Sequence, residues 1–183
     1  MNHHLLSILV DNHPGVLSRV SGLFSRRGFN IESLAVGTTH NPKISRMTII
    51  VFGNDHSVDQ IVKQLGKLVQ VITIKIIKYE SCVSRELVLV KVRATPEMRN
   101  QILQVVEIFR AKIIDVSKET LTIEMTGEAD KTEALLEMLA DYGIMEVART
   151  GSIALERGAS TIVSDNKERK EYNYSKTVIH NNV

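Results

Sequence analysis

The chain has 183 residues, enough for one ordinary domain or two small ones. Hydrophobic residues make up 43% and aromatics only 4%, with no Trp, so a core is affordable but must be mostly aliphatic. The 23 basic and 21 acidic residues leave a net charge of +2 spread along the chain, which excludes the strong basic footprint of a nucleic-acid or anionic-membrane binder. The single cysteine, Cys82, cannot form an internal disulfide and points to a reducing compartment. An apolar run from Leu5 to Val10 begins so near Met1 that no signal or transit peptide is expected. No apolar stretch approaches the length of a membrane span, so a soluble intracellular protein is expected.

In chain order, a strand is predicted at about 3–11 and a helix at about 15–27. The helix places Val16, Leu17, Val20, Leu23 and Phe24 on one face and Ser18, Arg19, Ser25 and Arg26 on the other. Gly28 suits the left-handed position past a helix end. A second strand follows at about 31–39. The turn His40-Asn41-Pro42-Lys43 then leads into a third at about 44–53, where Met47, Ile49 and Val51 alternate with Arg46 and Thr48. A second helix at about 57–68 carries Val58, Ile61, Val62, Leu65 and Leu68 inward. A fourth strand, about 70–79, alternates Ile72, Ile74 and Ile76 with Thr73 and Lys75.

Beyond Glu80-Ser81-Cys82-Val83-Ser84 the same order returns. A strand at about 86–94 shows Val88, Val90 and Val92 against Lys91 and Arg93. Thr95-Pro96 starts a helix with Ile102, Val105, Val106 and Phe109 inward. Strands at about 111–116 and 119–126 meet at a tight turn near Ser117-Lys118. Asp130 is expected to cap a helix bearing Leu135, Met138, Leu139 and Tyr142, which Gly143 ends. A last strand is predicted at about 144–153.

Both halves read βαββαβ, so the expected class is α+β, two ferredoxin-like units in tandem with domains at 1–80 and 81–158. Units of about seventy to eighty residues have marginal cores, and each leaves one sheet face to be covered. A homodimer is expected on those grounds. Residues 159–183 are rich in Ser, Asn, Lys and Glu and are expected to form a polar, disordered tail.

The most informative stretch is Asp11-Asn12-His13-Pro14-Gly15, between the first strand and the first helix. The first turn of a helix exposes unpaired N–H groups that attract a carboxylate. Gly15 lets a ligand approach the backbone, and Pro14 stiffens the loop without removing a needed donor. Asn12 offers both an acceptor and a donor to a zwitterion, while Val16 and Leu17 offer an apolar wall. These parts suit a free aliphatic amino acid. They equally make an ordinary capping turn, and from the residues alone the capping turn is the more common use.

The loop and helix resemble the ACT domain, a βαββαβ module that binds amino acids at domain interfaces. Asn12-His13-Pro14-Gly15-Val16-Leu17-Ser18-Arg19-Val20 and Gly22-Leu23-Phe24-Ser25-Arg26-Arg27-Gly28-Phe29-Asn30-Ile31-Glu32-Ser33-Leu34 are similar to the small regulatory subunits of acetolactate synthase. Ser45-Arg46-Met47-Thr48, Gln64-Leu65, Lys67-Leu68-Val69 and Arg85-Glu86-Leu87-Val88-Leu89-Val90-Lys91-Val92 carry the likeness onward. So do Glu107-Ile108-Phe109-Arg110-Ala111-Lys112-Ile113-Ile114-Asp115-Val116 and Glu146-Val147-Ala148-Arg149-Thr150-Gly151. It spans residues 3–158, leaving the tail beyond Gly158 without counterpart.

The resemblance implies a subunit without catalysis of its own. It would activate a large catalytic subunit and confer feedback inhibition by valine in branched-chain amino-acid biosynthesis. It implies an N-terminal ACT homodimer with valine at its interface. Asn12, Gly15, Val16 and Leu17 of one chain would face Asn30 and Ile31 of the other, with Ser18 and Gly37 near the pocket. Thiamine diphosphate, Mg and FAD would belong to the catalytic subunit, and this chain would hold no cofactor. A bacterial cytoplasm, or a chloroplast stroma for a plastid-encoded chain, would fit. A free-standing ACT sensor acting on another enzyme or a transcription factor would use the same pocket, but the second unit's likeness to the synthase subunit argues against it.

Other candidates are weaker. His3 and His4 are adjacent and point to opposite faces of a strand, while His13, His40 and His56 lack ligand spacing. The third strand carries no aromatics for stacking RNA bases, and no Cys-x-x-Cys loop is present. No nucleophile–base set, phosphate loop or carboxylate pair suggests catalysis.

Overall fold

The structure is a computed structural model that describes residues 2–163. The first unit runs β1 (Asn2–Asp11), α1 (Val16–Arg26), β2 (Ile31–Thr38), β3 (Ile44–Gly53), α2 (Asp55–Leu65) and β4 (Val71–Ile77). Its sheet has the order β2-β3-β1-β4, all neighbours antiparallel. Leu6, Ile8 and Val10 of β1 meet Val20 and Phe24 of α1 and Val58 and Ile61 of α2 in one core. The intervening Leu5, Ser7 and Leu9 are also buried, which is why this central strand reads as a nearly continuous apolar run.

The second unit repeats the order with β5 (Cys82–Arg93), α3 (Pro96–Phe109), β6 (Lys112–Val116), β7 (Thr120–Gly127), α4 (Ala129–Ala140) and β8 (Ile144–Arg149). Its sheet order is β6-β7-β5-β8, with β9 (Ile153–Glu156) also pairing with β5. Val88, Val90 and Val92 pack with Ile102, Val105, Leu121, Ile123, Leu135 and Leu139. Both halves are therefore the ferredoxin-like βαββαβ units expected from the periodicity. No helix among the described residues is long and apolar enough to cross a membrane.

Several expected boundaries move. The second helix starts at Asp55 because the Asn54 side chain caps it, accepting the Ser57 N–H at 2.8 Å. The cap of α4 is Glu128, so Asp130 lies inside the first turn, where a carboxylate favours the helix dipole. The strand expected over 144–153 splits into β8 and β9, and Gly151 between them has φ 77.

The larger difference lies after β8. The compact units are Ser84–Ile153 and, separately, the residues up to Val83 together with the described residues from Ala154 to Val163. Residues 154–158, expected to close the second domain, thus pack with the first. Ala154 joins Leu5, Ile77 and Cys82, and Ile162, 6% exposed, packs with Leu9 and Ile44. These contacts correct the expectation of a disordered tail for residues 159–163. The rest of that expectation, for 164–183, lies outside the described residues. The Arg157 N–H donates to the Ser81 carbonyl at 2.8 Å, so the returning chain lies against the point of departure.

Candidate functional site

The loop after β1 is built from both sides. The Asp11 N–H donates to the Gln70 carbonyl at 2.9 Å and the Asn12 N–H to the Lys43 carbonyl at 2.8 Å. The Asn12 side chain donates through Nδ2 to the Pro42 carbonyl, also at 2.8 Å. The β2–β3 turn that receives these bonds is itself braced, for the Asn41 side chain accepts the Lys43 N–H at 3.0 Å. Asn12 is thereby oriented, with its Nδ2 engaged and its Oδ1 left as an acceptor.

Gly15 is the N-cap of α1 with φ 87, a left-handed conformation that an L side chain rarely adopts. No side chain caps the helix and no acid lies in its first turn. The Val16 N–H reaches the His13 carbonyl only at 3.4 Å, and the first full turn closes with the Arg19 N–H on the Gly15 carbonyl at 3.1 Å. The N–H groups of Leu17 and Ser18 have no acceptor among the described residues. Two donors without an acceptor among the described residues at the positive end of a helix, with an oriented amide in the loop that leads into it, suit the two charged ends of an amino acid.

The expected site residues are not all together. Asn12, Gly15, Leu17 and Ser18 gather at one end of the sheet, and Gly37 lies at that same end, level with Arg46 and Leu9. Ile31 pairs with Val51, which pairs with His4, whereas Asp11 pairs with Ile44. Seven residues of strand separate His4 from Asp11, roughly 23 Å at about 3.3 Å per residue. Asn30 and Ile31 therefore stand at the opposite end of their own chain from the loop.

The Val16 side chain is 3% exposed and packs into the helix-face core. Leu17, 43% exposed, is the apolar side chain that the first turn offers outward.

The second unit shows the contrast. At the equivalent start of α3, the Met98 and Arg99 N–H groups both donate to the Thr95 carbonyl. The Glu97 carboxyl is held below its ordinary range by the Thr95 hydroxyl and by its own backbone N–H. The Arg99 guanidinium donates to the Ser117 and Lys118 carbonyls of the β6–β7 turn and, through Nε, to the Ala94 carbonyl. The first turn of α3 thus bonds to groups of its own chain, where the first turn of α1 leaves its N–H groups without an acceptor among the described residues. Nothing in the sequence patterning of Glu97 and Arg99 distinguished them from solvated helix residues.

Two surface hollows lie elsewhere and include none of the expected effector residues. One, about 320 Å³, is lined by Val62, Lys63, Lys67 and Thr73; the other, about 630 Å³, by Pro96, Arg99 and Val116. Among the described residues no cluster of three or more His, Cys, Asp or Glu could hold a metal ion.

A βαββαβ unit with this open helix start places the chain among the regulatory proteins built on ACT domains. A family model described as the AHAS small subunit-like ACT domain matches residues 6–73, and one for the small subunit of acetolactate synthase matches residues 85–158. The chain belongs to the family of acetolactate synthase small subunits. It is 53% identical over 155 residues to the probable acetolactate synthase small subunit of Archaeoglobus fulgidus, covering 85% of this chain and 97% of that one. It is 56% identical over 155 residues to the acetolactate synthase small subunit of Mycolicibacterium smegmatis, covering 85% and 91%. The crystal structure of the acetolactate synthase small subunit from Thermotoga maritima superposes with a TM-score of 0.82 at 46% identity, covering 87% of this chain and 100% of that chain.

Proposed function

We propose that this chain binds the catalytic subunit of acetolactate synthase, raises its activity, and makes it sensitive to feedback inhibition by valine. The carrying observation is the open start of α1: Leu17 and Ser18 N–H groups without an acceptor among the described residues, after a loop in which the Asn12 amide is held by its Nδ2. The N–H groups take the carboxylate, Asn12 faces the ammonium, and Leu17 packs on the aliphatic side chain. Thiamine diphosphate, FAD and magnesium belong, on this reading, to the catalytic subunit.

The rest of the pocket comes from a second copy of the chain. β2 stands at the edge of its sheet. An antiparallel, two-fold pairing of β2 edges sets the beginning of one strand beside the end of the other. It brings the partner subunit's Asn30 and the partner subunit's Ile31 to the end where Gly37 and the Asn12–Leu17 loop stand. The roughly 23 Å separation within one chain is the geometric support for this arrangement.

Valine titration by calorimetry tests the site, and mixing with the catalytic subunit tests the role. Binding of valine, a rise in acetolactate formation on mixing, and a fall on adding valine are expected. Leucine and isoleucine run in parallel rank the ligands, since a methylene changes binding by only about 1–3 kcal/mol.

A further inference from the structure

On the face of the first sheet that points away from α1 and α2, the returning chain, residues 154–163, covers part of the surface. Its two ends are apolar. Ala154 sits with Leu5, Ile77 and Cys82 at one end, and Ile162 with Leu9 and Ile44 at the other. The second anchor lies directly behind the effector loop, because Ile44 pairs with Asp11 and its carbonyl accepts the Thr39 N–H at 2.9 Å.

Between the anchors the seam is polar. Arg46 donates through Nη2 to the Ala154 carbonyl at 3.0 Å, and its backbone is paired with Gly37 on one side and Leu9 on the other. Lys75 Nζ lies 2.7 Å from Glu156, both side chains 16% exposed, and reaches the Thr161 carbonyl at 3.3 Å. Beneath them the Ser7 hydroxyl is fully buried with no partner among the described residues, and Thr48 is buried beside it. A seam chosen for strength alone would be apolar throughout, since a largely buried ion pair barely repays its desolvation. A polar middle between two small apolar anchors suits a segment that docks and releases.

We propose that residues Ala154–Val163 are a releasable strap that couples effector binding to the rest of the subunit. The coupling rests on the valine reading above. Valine at the loop stiffens the strand ends that carry Leu9, Ile44 and Arg46, and this favours the docked strap. By linkage the docked strap favours valine. Ile153, the last residue of the second unit, is covalently joined to Ala154, so docking sets the tether on which that unit is held.

The test uses the full chain reconstituted with its catalytic subunit. Glu156→Lys, on the sheet face opposite the helices, is expected to raise the valine concentration for half inhibition about tenfold. The exchange Lys75→Glu with Glu156→Lys is expected to restore part of that loss, short of all of it because Thr161 loses its donor. Hydrogen exchange on the unsubstituted protein reads the strap without any mutation, and slower exchange across 154–163 is expected when valine is added. Inhibition of Glu156→Lys within twofold of the parent, an exchange variant no better than Glu156→Lys, or identical exchange with and without valine would each overturn the strap. Failure of the unsubstituted chain to bind valine in calorimetry would instead overturn the reading beneath it. Should Glu156→Lys not fold, Glu156→Gln removes the charge at constant size and is held to the same outcomes.

Discussion

Asn12 and Pro42 stand 30 residues apart in sequence and are joined by a 2.8 Å hydrogen bond from the Asn12 side chain to the Pro42 carbonyl. That bond engages the Nδ2 of the Asn12 amide and leaves its Oδ1 as the acceptor, turning an ambiguous side chain into an oriented one. Asn12→Ala removes both the brace and the acceptor. The brace is exposed, so a stability loss of about 0.5–1.5 kcal/mol is expected. Valine binding should weaken about tenfold in calorimetry, equivalent to about 1.4 kcal/mol. Unchanged affinity would remove Asn12 from the site.

Gly15 separates backbone strain from ligand repulsion. A Cβ added there meets nothing within 4 Å, but φ is +87. Gly15→Ala is therefore expected to cost about 1–2 kcal/mol through the backbone alone, read as a lower melting temperature, with valine still bound. Gly15→Asp adds a carboxylate beside the ligand's own and should abolish binding. If alanine abolishes binding as completely as aspartate, the effect is conformational and the electrostatic account fails.

Ser7 offers a prediction of opposite sign. Its hydroxyl is buried without a partner among the described residues. Ser7→Ala relieves an unpaid desolvation and should leave stability unchanged or raise it by about 1 kcal/mol in urea unfolding. A clear loss would show that a bound water satisfies the hydroxyl.

Glu97 sets a pH expectation for the second unit. Its folded-state pKa is lowered first by the Thr95 hydroxyl and then by its own backbone N–H. The stabilisation is therefore present above the ordinary carboxyl value of 4.5 and lost as pH falls through the lowered folded value. Thr95→Val should move the Glu97 titration, followed by NMR, back toward 4.5.

The start of α3 bears on stoichiometry. Its N–H groups already donate within the chain and Arg99 is bonded to the β6–β7 turn, so calorimetry should find one valine per chain. Two equal sites per chain would contradict the contrast between the units.

The fold was legible because both units repeat strong periodicity. Val58, Ile61 and Leu65 share one helical face, and Val88, Val90 and Val92 one sheet face. The Asn12–Gly15 loop was legible as a helix start, but its tether to Pro42 was not, since it depends on how β2 and β3 return. Val16 was readable both as core and as pocket wall, and its side chain is buried in the core of the first unit. The segment at 154–163 was missed because Ala154 and Ile162 are isolated apolar residues in a polar stretch. Their partners, Leu5 and Leu9, lie at the far end of the chain, where no local pattern can reveal them.

The hydrogen bond from Arg157 to Ser81 has a practical consequence for dissecting the molecule. The second unit is an insertion into the first, leaving at Val83 and rejoining at Ala154. Stopping the chain after the first six elements strips Leu5, Leu9, Ile44 and Ile77 of their cover and invites aggregation. Excising 84–153 and splicing Val83 to Ala154 through a short glycine bridge keeps that cover, because the two cut ends already lie side by side. The first unit of this protein is obtained by removing the chain's middle, not its end.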